Sequence, residues 1–165
     1  MADLQALMTA LQQRIGPHPD GAHLPAHHEQ CLGCGVDNPH GHHLSVHREG
    51  DLVVATHIFD DRHVGAPGIA HGGAVATVLD DLYGFLLYLV GEPAVTRQLV
   101  VEYLAPVLIG TTYRLEARVD RREGRKLFVN AKVTALDGRT AATSTAVFVT
   151  VDAEHFAQAR PSSAI

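Results

Sequence analysis

Cysteine is scarce in these 165 residues, with two thiols in all, and that scarcity excludes a disulfide scaffold. A charged leader followed by an early apolar stretch is also missing, so no secretion signal is expected and the cytoplasm is the expected compartment. Basic residues are outnumbered, 13 Lys and Arg against 18 Asp and Glu. The resulting net charge of −5 gives no general pull toward nucleic acid or an anionic membrane, although a local patch can still hold phosphate. The uninterrupted apolar run Leu82–Val90 is only nine residues, too short to cross a bilayer. Asp80 and Asp81, just before it, would each cost roughly 2.5–3.5 kcal/mol at a membrane centre. No internal repeat is present.

What is abundant is apolar side chain, 46% of the chain, enough for one domain with a sizeable core. The stretch that organises it begins at Pro67-Gly68-Ile69-Ala70-His71-Gly72-Gly73 and stops at Gly91-Glu92-Pro93. Between these breakers about 18 residues read as one helix. Apolar residues go nearly all the way round it, which predicts a core helix. A buried, unpaired carboxylate is costly, so Asp80 and Asp81 in its middle are candidates for chemistry.

Residues 1–30 hold a short amphipathic helix over 3–15, with Leu4, Leu7, Met8, Leu11 and Ile15 on one stripe, and the start of a His-rich loop. That loop runs over 16–43 and carries His18, His23, His27, His28, His40, His42 and His43, in a segment of the lid or binding-loop kind. Residues 31–152 form the main domain and 153–165 a weakly ordered tail. Strands are expected at 44–48 and 51–59 around Glu49-Gly50, then at 95–107, 112–120, 126–135 and 139–151. The order is two strands, one buried helix, then an antiparallel meander, with Asp137-Gly138 as its last tight turn. A helix of ~27 Å is about as long as those strands, so a curved antiparallel sheet wrapped round it buries both apolar surfaces. The expected class is α+β.

His71-Gly72-Gly73 with Asp80 nine positions after the His closely resembles the hotdog-fold acyl-CoA thioesterases of the phenylacetate-pathway type. So do Pro67-Gly68-Ile69-Ala70 ahead of it and the run from Thr96-Arg97-Gln98 to Ala105-Pro106-Val107 behind it. Cys31-Leu32-Gly33-Cys34-Gly35-Val36-Asp37-Asn38-Pro39-His40-Gly41 is similar to the opening segment of many bacterial members. The resemblance covers about residues 31–151. It implies hydrolysis of an acyl-CoA thioester without a cofactor, by a homodimer or a dimer of dimers. Carried over, the Gly72 amide polarises the thioester carbonyl and Asp80 serves as nucleophile or as general base on water. His71 lines the same site and Thr96 lies near the attacking water. Val64-Gly65-Ala66 departs from those relatives that carry a polar amide side chain before the His-Gly-Gly.

The residues support this chemistry in their own terms. Backbone N–H groups at a helix N-terminus are pre-aimed donors for oxyanion charge. Gly72 and Gly73 let an acyl chain approach the backbone. Apolar surroundings push the pKa of Asp80 up and make it more basic. Gly72 and Asp80 are eight residues apart, ~12 Å along one helix, so they cannot meet one carbonyl within a single chain. The acid must then come from a second copy. Substrate-binding candidates besides Gly73 are Asn38 and, at the basic hairpin Arg121–Lys126, Arg125 and Lys126.

Plainer readings stand beside these. An Asp in an apolar helix also serves to pair with an arginine or cap a loop, and for Asp81 that structural reading is the favoured one. His71 also suits a plain helix N-terminus, Thr96 an ordinary strand threonine, and a charged hairpin tip the solvated state. Cys31-x-x-Cys34 with His40, His42 and His43 has zinc-like spacing. No second such pair follows, so unliganded thiols and no metal are expected. Two other functions suit the same fold. One is an acyl-CoA-binding or sensing domain without catalysis. The other is a hydratase, suggested by Asp37-Asn38-Pro39-His40, although no helix follows that segment directly.

Overall fold

The computed structural model describes residue 9 and residues 14–152. The helix expected over 3–15, apart from Thr9, Arg14 and Ile15, and the tail 153–165 lie outside the described residues. Among the described residues, eight strands and one long helix follow in the order β1 (Val46–Glu49), β2 (Leu52–Ile58), β3 (Val64–Ala66), β4 (Ile69–Ala70), α1 (Gly72–Val90), β5 (Ala94–Tyr103), β6 (Thr112–Glu123), β7 (Lys126–Ala135) and β8 (Thr140–Thr150). A 3-10 turn, Asp61–His63, precedes β3.

The predicted breakers set the ends of α1. His71 is the N-cap, and its side chain accepts the Gly73 N–H. Gly91 closes the helix in the left-handed region at φ 83°, where a Cβ would be strained, and its N–H donates to Leu87 O. Val75, Val78, Leu79, Leu82 and Leu86 lie on one side, spaced by three and four, and are buried with Tyr83 and Phe85. The opposite side is only half covered: Ala76, Thr77, Asp80, Gly84 and Leu87 are neither fully buried nor fully exposed. The helix is long and apolar enough to cross a membrane by composition, yet half of that stretch is buried inside the fold, as in a core helix.

Six strands form an antiparallel sheet in the order β1-β2-β6-β7-β8-β5. Its inner face, including Val53, Ala55, Tyr113, Leu115, Leu127, Val133 and Phe148, packs on α1. This is the hotdog arrangement of one helix wrapped by a curved sheet. The expected meander holds only for β6, β7 and β8. β5 pairs with β8 at the sheet's edge, and β6 pairs with β2. The reason lies in the side chains. β7 and the first half of β6 alternate between buried and more accessible residues, whereas most of β5 is exposed, a pattern that suits an edge. β5 also stops at Tyr103 rather than 107, where the Leu104 and Ala105 N–H groups both turn to Ala141 O.

The His-rich loop is tied down along its length. Leu24 N–H donates to Val46 O and Arg48 N–H to Ala22 O, so residues 22–24 run alongside β1. His42 N–H donates to Leu32 O and Leu44 N–H to Gly33 O, which folds the Cys31–Cys34 turn against the strand lead-in.

Candidate active site

Asp80 lies midway along the half-covered side of α1. Thr96, near the start of β5, donates its hydroxyl to Asp80 Oδ1 at 2.9 Å. Burial raises the Asp80 pKa above the ordinary carboxylate value; the Thr96 hydrogen bond opposes that rise and the neighbouring Asp81 charge adds to it. This is the direction expected from the sequence. The two residues open into a cleft of about 390 Å³ walled by Gly84, Leu87, Ala94, Val95 and Phe148, with Arg14 at its rim.

Gly72 lies elsewhere. The Gly73 N–H is consumed by His71 Nδ1 at 2.9 Å, so the imidazole acts as a cap and accepts through that nitrogen. Among the described residues no hydrogen bond takes up the Gly72 N–H, which leaves it the free donor of the first turn. Tyr103, at the far end of β5, donates its hydroxyl to Gly72 O at 2.6 Å. Gly72 and Tyr103 line a second cleft of about 420 Å³ with Ile69, Val75, Leu104 and Val107. The two clefts share no lining residue. β5 thus clamps α1 twice, once at the Asp80 carboxylate and once at the Gly72 carbonyl.

The other sequence candidates are placed as follows. Asn38 is spent on its own loop: its side chain donates to Gln30 O at 3.2 Å and accepts the His40 N–H at 2.9 Å. Arg125 donates to Thr150 O at 3.0 Å, and Lys126 is exposed beside it at the start of β7. Arg121 pairs with Glu123 and Asp120, and Arg122 with Glu92, so much of the hairpin's positive charge is already matched. Sequence reasoning missed Tyr103 as the Gly72 partner and Arg14 as a cleft residue, because neither belongs to a local motif.

Asp81, which with His27 also lines the Asp80 cleft, turns its carboxylate to the Cys31–Cys34 turn. His27 Nδ1 lies 3.0 Å from its Oδ1, Cys31 Sγ 3.0 Å and Cys34 Sγ 3.6 Å. The zinc-like grouping read from local spacing is not the one formed. His40 is exposed, His43 bonds Asn38 O, and His42 stacks on His63 with ring centres 3.9 Å apart. Burial disfavours an imidazolium at His27, but the hydrogen bonds to Asp81, Cys31 and Cys34 outweigh it and push its pKa up to about 12.

The sequence model of the thioesterase superfamily matches residues 67–142, from the turn before α1 into β8. The mouse acyl-coenzyme A thioesterase THEM4 is 35% identical over 91 residues, which cover 54% of this chain and 39% of that protein. This chain therefore spans about two fifths of the length of that relative. The Pseudomonas aeruginosa protein PA0474, named an esterase, is 31% identical over 100 residues, covering 59% of this chain and 73% of that one. A Streptococcus mutans protein crystallised with acetyl CoA superposes with a TM-score of 0.59 at 26% identity, over 61% of this chain and 82% of that chain.

Proposed function

The chain belongs to the thioesterase superfamily, and from that premise we propose that it hydrolyses an acyl-CoA thioester. The observation that carries this reading is the pairing of a half-buried, proton-attracting carboxylate with a free helix-terminal amide, each opening into its own cleft. The Gly72 N–H stabilises the oxyanion as the tetrahedral centre forms. Asp80, held by Thr96, takes the proton of the attacking water and leaves the thiolate of coenzyme A to depart. The mouse relative and the acetyl-CoA-bound structure support the substrate class.

A second copy of the chain completes the site. Asp80 and Gly72 are ~12 Å apart along one helix axis, and both lie toward β5, whose outer edge has no partner strand among the described residues. Val100, Tyr103 and Leu104 are exposed there at 45%, 51% and 59%, an apolar edge suited to cover by a partner. In that assembly the amide of one copy faces the carboxylate of the other.

The test is release of free thiol from a panel of acyl-CoAs by the wild-type chain and by Asp80→Asn. Release by the wild type, reduced about 10²–10⁴-fold in the variant, is the expected result. Binding of acyl-CoA without release would favour a sensing domain. An undiminished Asp80→Asn rate would remove the carboxylate from the mechanism.

A further inference from the structure

Four metal-ligating side chains outside the hydrolytic machinery converge on one point, and we propose that His27, Cys31, Cys34 and Asp81 form a closed structural zinc site. Their donor atoms, His27 Nδ1, both thiol sulfurs and Asp81 Oδ1, all lie within 4.8 Å of one another. Bond lengths of about 2.0–2.3 Å give a zinc tetrahedron edges of about 3.3–3.8 Å. Four of the six separations between donors are 3.0 Å (His27 to Asp81, Cys31 to Asp81), 3.3 Å (Cys34 to His27) and 3.6 Å (Cys34 to Asp81), and the two from Cys31 to His27 and to Cys34 are no more than 4.8 Å. Shifts of no more than about an ångström, most of them a few tenths, bring all six to those edges.

The surrounding chain is shaped for this convergence. A Cβ on Gly33 would lie 2.1 Å from Asp81 Cγ, and one on Gly84 would lie 2.6 Å from the His27 ring. A Cβ on Gly35 would lie 2.3 Å from the Cys31 nitrogen, so the Cys-x-x-Cys-Gly turn closes only with glycine there. The His27 N–H donates to Cys34 Sγ at 3.2 Å, a contact that favours thiolate. Hydrogen bonding alone serves the cluster poorly. Three donors crowd onto Asp81 Oδ1 while its Oδ2 is buried without a partner. A divalent cation at the centre balances two of the three negative charges that the thiolates and the carboxylate carry.

The donor set selects the metal. Two thiolates with one imidazole and one carboxylate suit zinc, are too few in sulfur for an iron–sulfur cluster and too soft for calcium or magnesium. Four protein donors leave no open position, so the ion is structural. It fastens the turn at Cys31–Cys34 to α1 one residue past Asp80, and two of its ligands, His27 and Asp81, also wall the Asp80 cleft. This assignment stands on the cluster alone and does not depend on thioester hydrolysis.

Elemental analysis of the intact chain, purified from zinc-supplied cells, is expected to give about one zinc per chain. Cobalt exchange should produce thiolate-to-cobalt and tetrahedral ligand-field absorption. Cys34→Ser and Asp81→Ala should lose the metal, and Asp80→Asn should keep it. Should those variants fail to fold, the wild type still decides: a mercurial that titrates the two thiols should release the zinc in step with them. Sub-stoichiometric metal after equilibration with zinc, with both thiols reacting as fast as before, would overturn the proposal. So would a wild-type cobalt spectrum without thiolate bands.

Discussion

A single hydroxyl sets how acidic the candidate site can become. The Thr96 hydrogen bond opposes the upward push that burial gives Asp80, so its removal allows the carboxyl to hold its proton to higher pH. The base form is the active one in the proposed mechanism. The kcat/KM profile should therefore show an acid limb above the ordinary carboxylate range, and Thr96→Val should move that limb further up. The variant should lose more activity at pH 6 than at pH 8. A limb that stays in place would separate Thr96 from the carboxylate's protonation. That Asp80 and Gly72 lie on one helix was legible in the sequence because helix breakers bound it. Tyr103 was not, since its contact with Gly72 spans 31 residues and exists only once β5 lies along α1.

Elements were legible in proportion to their length and periodicity. The predicted limits of α1 hold because a His-Gly-Gly start and a Gly-Glu-Pro stop are local chemistry. β6 and β7 were found by alternation, although β6 runs on to Glu123. β3 and β4, three and two residues long, carry no periodic signal. The His-rich loop was legible as composition only. Its histidines part company when the chain folds: His27 turns to α1, while His42 packs against His57 of β2 and His63 of the 3-10 turn. These three rings are each only 7% exposed, and each has a buried nitrogen without a hydrogen-bond partner. Burial, with the charges of neighbouring rings, pushes His42 and His57 down from 6.5 to about 4. Between about pH 4 and 6.5 the unfolded chain binds protons that the fold refuses, so stability rises with pH across that window and is lost as the pH falls through it. Each tenfold displacement of a protonation equilibrium is worth about 1.4 kcal/mol, so the loss should be on the order of a few kcal/mol. Urea midpoints at pH 7.5, 6 and 5 should fall in that order, and His57→Phe, beside the Phe59 ring, should flatten the slope. Equal slopes for the two proteins would relieve His57 of this role.

At the scale of the whole molecule, one chain keeps the Asp80 carboxylate and the Gly72 N–H in separate clefts. The argument for a second copy needed only the rise of a helix, which is why it could be made before the fold was seen. The two separate clefts give that argument its surfaces. The zinc ligands show the opposite limit, since His27 and Asp81 are 54 residues apart and nothing local links them. Shared sites have a consequence that separate sites lack. Gly72→Pro deletes the N–H at the first helical position, where proline is common, and the extended His71 (ψ 133°) suits the residue before a proline. The added Cβ, 3.2 Å from the Tyr103 hydroxyl, requires that side chain to give by a few tenths of an ångström. Alone, Gly72→Pro should lose about 10²–10³-fold in kcat, and Asp80→Asn alone should be nearly inactive. After the two are unfolded and refolded together in equal amounts, half of the dimers are mixed. Each mixed dimer has one site with both lesions and one with neither. Recovery of about a quarter of wild-type activity is then expected from random pairing in a two-fold symmetric dimer. Separately refolded controls should remain inactive. A mixture no better than those controls, with mixed dimers demonstrated by differently tagged chains, would mean that each chain works alone and that the free Gly72 amide serves some other end.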